Sequence, residues 1–425
     1  MTNQFEFQKL HLSQYLSLHP LKDKKEKYKS GYVSVLNYFL KQFGTNQWSE
    51  SNFSLFKVYL SASTGILEKK PPKLKYCRYR DVILVDLLFL TSFSNEDDGK
   101  KIFDLVCNYY GKGARKKLNS VFEYFYSKEE RGDFQKYKSK EVLDIVRCNR
   151  LFLELPEKKI MITANMSAGK STLLNALTGK RVNKTMNDAC TAKVHSIFNK
   201  PKEDGYIYEY DYELDLNASR EVLMDDNDEN TSSNISVGTF FRNDTQINRK
   251  VVLVDTPGVN SALDKEHKDI ADNTVKNQSC DLLIYLMNGE VIATDDERKH
   301  LIYVKENYSG KIIFIINKLD RYRAEDSVPG TIDTVKNYLE QMGFEKPVVY
   351  PISAYAAYLG RMKKNGENLN EDEIEDLEFV KRKLSKKDFQ YNQYYDNPVQ
   401  GEFNDEIDKL ICNSGITSLE KIIYE

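Results

Sequence analysis

The stretch that decides the fold is Lys159-Ile160-Met161-Ile162-Thr163-Ala164-Asn165-Met166-Ser167-Ala168-Gly169-Lys170-Ser171-Thr172-Leu173-Leu174. An apolar, β-branched run enters a turn of small residues, and a helical pattern leaves it. Residues 164–171 match a phosphate-binding loop, with Ala164 where the first glycine usually stands. In such a loop the backbone N–H groups of Asn165, Met166, Ser167, Ala168 and Gly169, together with the opening helical turn through Thr172, cradle phosphate oxygens. Lys170 adds a point charge, and the Ser171 hydroxyl is placed to coordinate a Mg²⁺ bridging two phosphates. Alanine is tolerable at 164 if its φ is negative.

Three further segments follow in order, each at the end of an apolar run. Asp255-Thr256-Pro257-Gly258 follows residues 251–254. The Asp255 carboxylate can hold a magnesium-bound water, and the Gly258 amide can face a γ-phosphate. Asn317-Lys318-Leu319-Asp320 ends a second run. Asp320 can accept from the N1–H and 2-amino group of guanine, whereas adenine lacks the amino group, so the pattern favours GTP over ATP. Lys318 would lie along the base, and Asn317 would tie this loop to the phosphate loop. Ser353-Ala354 ends a third run, where the Ala354 amide can reach the guanine oxygen.

Around these segments, strand and helix patterns alternate. Strands are expected at 159–163, 251–254, 282–287, 311–316 and 348–352, and helices at 171–177, 265–275, 295–306, 331–341 and 418–424. That alternation predicts an α/β fold, a mostly parallel sheet with helices on both faces. Two insertions are expected, an exposed acidic one near 202–234 and another near 360–415 that includes a helix over 371–384. Residues 1–150 read differently. Tyr32, Val33, Val35, Leu36, Phe39 and Leu40 recur at helical spacing, as do Ile102, Phe103, Leu105, Val106 and Tyr109. This half is expected to be an all-α module without a catalytic constellation, and residues 151–425 the nucleotide-binding domain.

Composition narrows the class. The 425 residues are 40% hydrophobic and 30% charged, which fits a globular protein of two domains. Residues 1–150 carry 27 Lys and Arg against 17 Asp and Glu, a net of +10, and the remainder carries 35 against 47, a net of −12. Such a split points either to plain solvation of helix surfaces or to an anionic partner for the basic half. The six cysteines lie far apart with no Cys-x-x-Cys, so neither a disulfide framework nor a zinc cluster is indicated, and a cytoplasmic location is expected.

With these residues in hand, the chain resembles a bacterial dynamin-like GTPase of the dynamin superfamily. The resemblance rests on Ser167 to Leu177, Asp255-Thr256-Pro257-Gly258-Val259 and Asn317-Lys318-Leu319-Asp320, with a Cys190-Thr191 pair placed like a switch. It covers roughly residues 158–424 and says little about residues 1–150. It implies that Thr191 completes the magnesium shell with Ser171 and a water on Asp255, positions the attacking water, and is catalytic with Lys170 and Gly258. It further implies that Ser167 helps hold K⁺ or Na⁺ in place of an arginine finger. Val259 stands where other GTPases carry a glutamine, so GTPase domains are expected to pair across the nucleotide face, with self-assembly and a membrane as partners. Met166 departs from the polar residue common in the family. Family members also continue into a helical stalk, whereas this chain ends at Glu425, which leaves either a fragment or a partner role for the helical half. The alternatives are a ribosome- or RNA-associated GTPase, with nucleic acid the less favoured partner, and a GTP-dependent binding switch with little hydrolysis.

Overall fold

The computed structural model describes residues 2–44, 47–61, 76–130, 136–165, 167–182, 194–210, 214–218, 234–243, 248–256, 280–323, 326–399, 401, 403 and 405–425. Contacts divide the chain into two units, Met1–Leu155 and Pro156–Glu425.

The first unit is helical: α1 (Thr2–Ser17), α2 (Glu26–Phe43), α3 (Gln47–Ser61), α4 (Arg80–Thr91), α5 (Glu96–Tyr110), α6 (Lys112–Tyr126) and α7 (Lys140–Glu154). The periodic positions of α2 turn inward, with Tyr32, Leu36 and Phe39 fully buried. Asn95 caps α5 by accepting from the Asp97 and Asp98 amides, and Gly111, with φ of 89°, separates α5 from α6. α4 is buried along nearly its whole length, Asp86 included. That carboxylate accepts from the hydroxyls of Tyr15 and Tyr32 and from His19 Nε2, whose Nδ1 accepts the Leu21 N–H at 3.2 Å. Three donors make a buried charge tolerable.

Among the described residues the second unit is built on a nine-stranded sheet. Its strands are β1 (Glu157–Ala164), β2 (Val194–Asn199), β3 (Tyr208–Tyr210), β4 (Leu214–Asp215), β5 (Asn234–Thr239), β6 (Lys250–Asp255), β7 (Leu282–Asn288), β8 (Ile312–Asn317) and β9 (Val349–Pro351). They lie in the order β4-β3-β5-β2-β6-β1-β7-β8-β9. From β6 to β9 neighbours are parallel, and β2 then runs antiparallel to β6, with β5 parallel to β2. Residues 282–287 are buried without a break, as a strand covered on both faces must be. The stretch expected as an exposed acidic insertion instead supplies β3 and β4 to one sheet edge, because the ladder of β5 accepts β3 antiparallel. The acidic run 225–229 itself lies outside the described residues, as does the helix expected at 265–275.

Helices fill the intervals: α8 (Lys170–Thr178), α9 (Asp295–Asn307), α10 (Val328–Gln341), α11 (Ala354–Lys364), α12 (Glu371–Leu384), α13 (Glu406–Asn413) and α14 (Ile416–Tyr424). The segment expected as a second insertion is part of the core. Leu377, Val380, Phe389, Tyr391 and Ile411 are buried in it, and a Cβ on Gly360 would come within 2.7 Å of Ile411. Burial of such side chains stabilises by about 1.5–3 kcal/mol each, so the segment is integral to the unit. Because β1, β6, β7, β8 and β9 are parallel, their carboxyl ends share one edge of the sheet, the usual place for a ligand in this architecture.

Candidate GTP site

β1 delivers the loop 165–169 to that edge, and α8 starts at Lys170. Ala164 lies within β1 and is not among the residues of positive φ, so it needs no glycine. Gly169 does: its φ is 93°, and a Cβ there would stand 2.5 Å from Asn317 Nδ2. Ser167 is also left-handed, at φ 60°, with its side chain exposed, while Ala168 is buried. Ser171 and Thr172 open α8, half-buried, where helix amides remain unpaired within the helix.

Lys170 Nζ donates to Asp255 Oδ1 at 2.5 Å. Asp255 is fully buried at the end of β6, in register with Ile162 of β1. Next to it the Thr256 hydroxyl donates to the Ile162 carbonyl at 3.1 Å, which fixes the exit of the strand.

Asn317 ends β8 and joins three segments. Its Nδ2 donates to the Ala168 carbonyl at 2.8 Å, and its Oδ1 accepts the Ala354 N–H at 2.9 Å. The Ala354 amide, expected to meet a guanine oxygen, is therefore directed at Asn317, because it opens α11 directly beside the end of β8. Ser353 caps α11 by accepting the Ala356 amide. Lys318 adopts the left-handed region at φ 68°, a conformation a lysine holds only where its surroundings impose it. Burial pushes its ammonium pKa down.

Asp320 is 5% exposed, and its Oδ1 is buried without a hydrogen-bond partner. Burial raises its pKa, opposed by a hydrogen bond from Ser353. A buried carboxylate oxygen left without a donor is costly in isolation and fits a ligand that brings the donor. Guanine's N1–H and amino group have that chemistry. For Mg²⁺, the Ser171 hydroxyl and the Asp255 carboxylate are hard oxygen donors of the right kind.

Met166, Thr191 and Gly258 lie outside the described residues, as do Cys190 and Val259. Sequence reading missed a buttress. The Gly289 amide donates to the Asn317 carbonyl at 2.8 Å, and a Cβ on Gly289 would meet Leu319 at 2.5 Å. Tyr322 donates to the Gly289 carbonyl at 2.8 Å, and Glu290 approaches Arg321 at 3.3 Å. The signal was present as Asn288-Gly289, a turn dipeptide directly after a strand.

The sequence profile of the Dynamin family matches residues 160–319, from β1 into the base-reading loop. Over these residues the chain is similar to the Dynamin family. Among curated relatives, an uncharacterized protein from the xynA 3' region of Caldicellulosiruptor sp. is 24% identical over 233 residues, 52% of this chain and 54% of that protein. A probable transmembrane GTPase, FZO-like and chloroplastic, from Arabidopsis thaliana is 26% identical over 47% of this chain and 19% of its own length. Dynamin-like protein A of Bacillus subtilis is 25% identical over 46% of this chain and 16% of its own. The chain thus spans about half the length of the first relative and less than a fifth of the other two. No helix among its described residues is long and apolar enough to cross a membrane.

Proposed function

We propose that this chain is a Mg²⁺-dependent GTPase that self-associates through its second unit and works, in the cytoplasm, at the periphery of a membrane. The observation that carries the nucleotide reading is the unpartnered, buried Oδ1 of Asp320 at a loop that Asn317 ties to the phosphate loop. An amidine edge such as that of guanine satisfies it, and adenine does not. In this reading Lys170 and the amides of residues 165–172 hold the phosphates, Ser171, Thr191 and a water on Asp255 hold the metal, and Gly258 faces the γ-phosphate. The metal neutralises charge on the phosphates when bound. Asn317, Lys318 and Asp320 orient the base, with Ser353 and Ala354 supporting the loop from α11. Self-association is supported by the dynamin-like sequence and by Val259, which leaves no glutamine after the glycine. The test is GTP turnover against protein concentration, with and without anionic vesicles. Equal affinity for ATP and GTP in calorimetry overturns the base assignment.

A further inference from the structure

Residues 1–150 carry ten more positive than negative charges. On α5 the charge is neutralised locally: Lys100 meets Glu96 at 3.5 Å, Lys101 meets Asp98 at 2.7 Å, and Asp104 meets Arg115 of α6 at 2.7 Å. One end of the helical unit differs. There the first turn of α2, the start of α4 with the segment before it, and the segment before α7 are held together. The Tyr76 hydroxyl donates to the Tyr28 carbonyl at 2.8 Å, and the Tyr28 ring lies 4.8 Å from that of Tyr76 and 6.2 Å from that of Tyr79. Lys138 donates its amide to Asp81 at 3.1 Å, while its Nζ stands 4.4 Å from the Tyr79 ring centre. Lys24, Lys25, Lys27, Arg78, Lys136 and Lys138 are all exposed, and among the described residues none lies within ion-pair distance of a carboxylate. Asp23 and Glu26 share the turn but leave it net positive. Lys22 and Lys29 donate to the carbonyls of Ser17 and Lys22, which shapes the turn without cancelling charge.

We propose that this end, centred on Lys24, Lys25, Lys27 and Tyr28, is the surface that meets an anionic lipid headgroup layer. The inference rests on the membrane reading above and gives it a location. Unpaired lysines concentrate where a negative surface potential rewards them, and a tyrosine that is 39% exposed suits the headgroup depth. RNA is the less suited polyanion. Single-stranded bases need open aromatic faces, and Tyr76 and Tyr79 are 5% and 8% exposed, their rings already used against Tyr28.

The experiment is co-sedimentation of the full chain with phosphatidylcholine vesicles, with and without phosphatidylserine, at low and physiological salt, beside poly-uridine binding. The wild type is expected to bind only the phosphatidylserine vesicles, more weakly as salt rises. At about fivefold per lysine, the triple variant Lys24→Glu, Lys25→Glu, Lys27→Glu should lose more than about a hundredfold in binding. The pair Lys100→Glu and Lys101→Glu on α5, whose lysines are already paired, should bind as the wild type does. Helical circular dichroism of the same samples reports that the helical unit of each variant is folded. A triple variant that binds like the wild type overturns this surface and leaves the membrane reading standing. A wild type that ignores anionic vesicles, or prefers poly-uridine, overturns both while leaving GTP hydrolysis untouched.

Discussion

Lys170 Nζ stands 2.5 Å from Asp255 Oδ1, one side chain 10% exposed and the other fully buried. The lysine meant for phosphate is thus held by the carboxylate meant for the metal. In the proposed function a bound nucleotide and Mg²⁺ would give each a new partner, so this ion pair would compete with nucleotide when metal is absent. Asp255→Asn should therefore bind GDP about tenfold more tightly in chelator, the worth of one charge-assisted hydrogen bond, and lose most of the gain that Mg²⁺ gives GTP. Lys170→Ala should lose nucleotide binding in either condition. Titration of a fluorescent GDP analogue with and without Mg²⁺ decides it, and an Asp255→Asn protein unchanged in chelator refutes the competition.

Asp320 connects specificity to stability. Burial raises its pKa, so keeping it charged at neutral pH costs folding free energy in the nucleotide-free protein. The sign follows: with the folded pKa above the unfolded one, stability falls as pH rises from the unfolded value through the folded one. Asp320→Asn removes the charge and should raise the melting temperature of the nucleotide-free protein by a few degrees, about 1 kcal/mol. The same change should weaken GTP and favour xanthosine triphosphate, whose base edge suits an amide. Thermal melts and competition binding read the two effects separately, and a less stable Asp320→Asn protein contradicts the linkage.

Asn317 is the joint between the phosphate loop and the base loop. Asn317→Ala leaves the Ala168 carbonyl and the Ala354 amide without their buried partner. The expected cost is about 2–4 kcal/mol, with a larger loss of GTP affinity, because both loops are freed together. Denaturant unfolding gives the first number and calorimetry the second. Loss of stability without loss of affinity would show that the joint does not organise the site.

What the sequence revealed, and what it hid, follows from how local each feature is. Strand β7 was legible because residues 282–287 are buried on both faces and so form an unbroken apolar run. Strands β2 and β5 were not, since Val194-His195-Ser196-Ile197 and Ile235-Ser236-Val237 mix polar and apolar residues over short lengths and are defined by pairing with each other. The placement of residues 164–171 and of Asn317 to Asp320 at strand ends was legible because each follows an apolar run. The Lys170–Asp255 pair and the Ala354-to-Asn317 bond join residues far apart in the chain, and nothing in either segment encodes the approach. The segment 360–415 was expected as an insertion with a helix over 371–384, and that helix is present; its packing on the core was not legible because it runs through scattered positions such as Leu377 and Ile411 rather than one strong run.

In the helical unit, Tyr15 and Tyr32 donate to Asp86, and burial followed by that negative charge raises both phenol pKa values well above normal. A raised folded pKa means full stability below the unfolded pKa, near 10, and progressive loss as pH climbs toward the folded values. Helical circular dichroism should therefore fall steeply in strong alkali. Tyr15→Phe and Tyr32→Phe together should flatten that alkaline slope while lowering stability at pH 7 by about 2–4 kcal/mol, since Asp86 then lacks two donors. An unchanged alkaline slope in the double variant would show that other groups govern it.

Hydrolysis should rise faster than linearly with protein concentration and require K⁺ or Na⁺. Val259 follows Gly258 where a water-orienting glutamine would stand, and the run from Asn187 to Lys193 holds no arginine, so the chain supplies no arginine finger of its own there. Charge that develops on the transferred phosphoryl group must be met from elsewhere, and such stabilisation is worth about 10³–10⁵ in rate when an arginine provides it. A cation beside the phosphate loop, a second copy of the chain, or both, are the remaining sources. Ser167 is the proposed cation ligand: it sits at φ 60° with its side chain exposed at the top of the loop. Ser167→Ala should then lower turnover by an order of magnitude or more and leave GTP affinity nearly unchanged. Thr191→Ala should spare GDP binding and abolish hydrolysis, because GDP has no γ-phosphate for that threonine to sense. Phosphate release measured across a hundredfold range of protein concentration, in K⁺, in Na⁺ and in a bulky organic cation, separates the sources. Specific activity that is flat with concentration and indifferent to the cation would refute the assembly-and-cation mechanism and leave GTP binding as it stands.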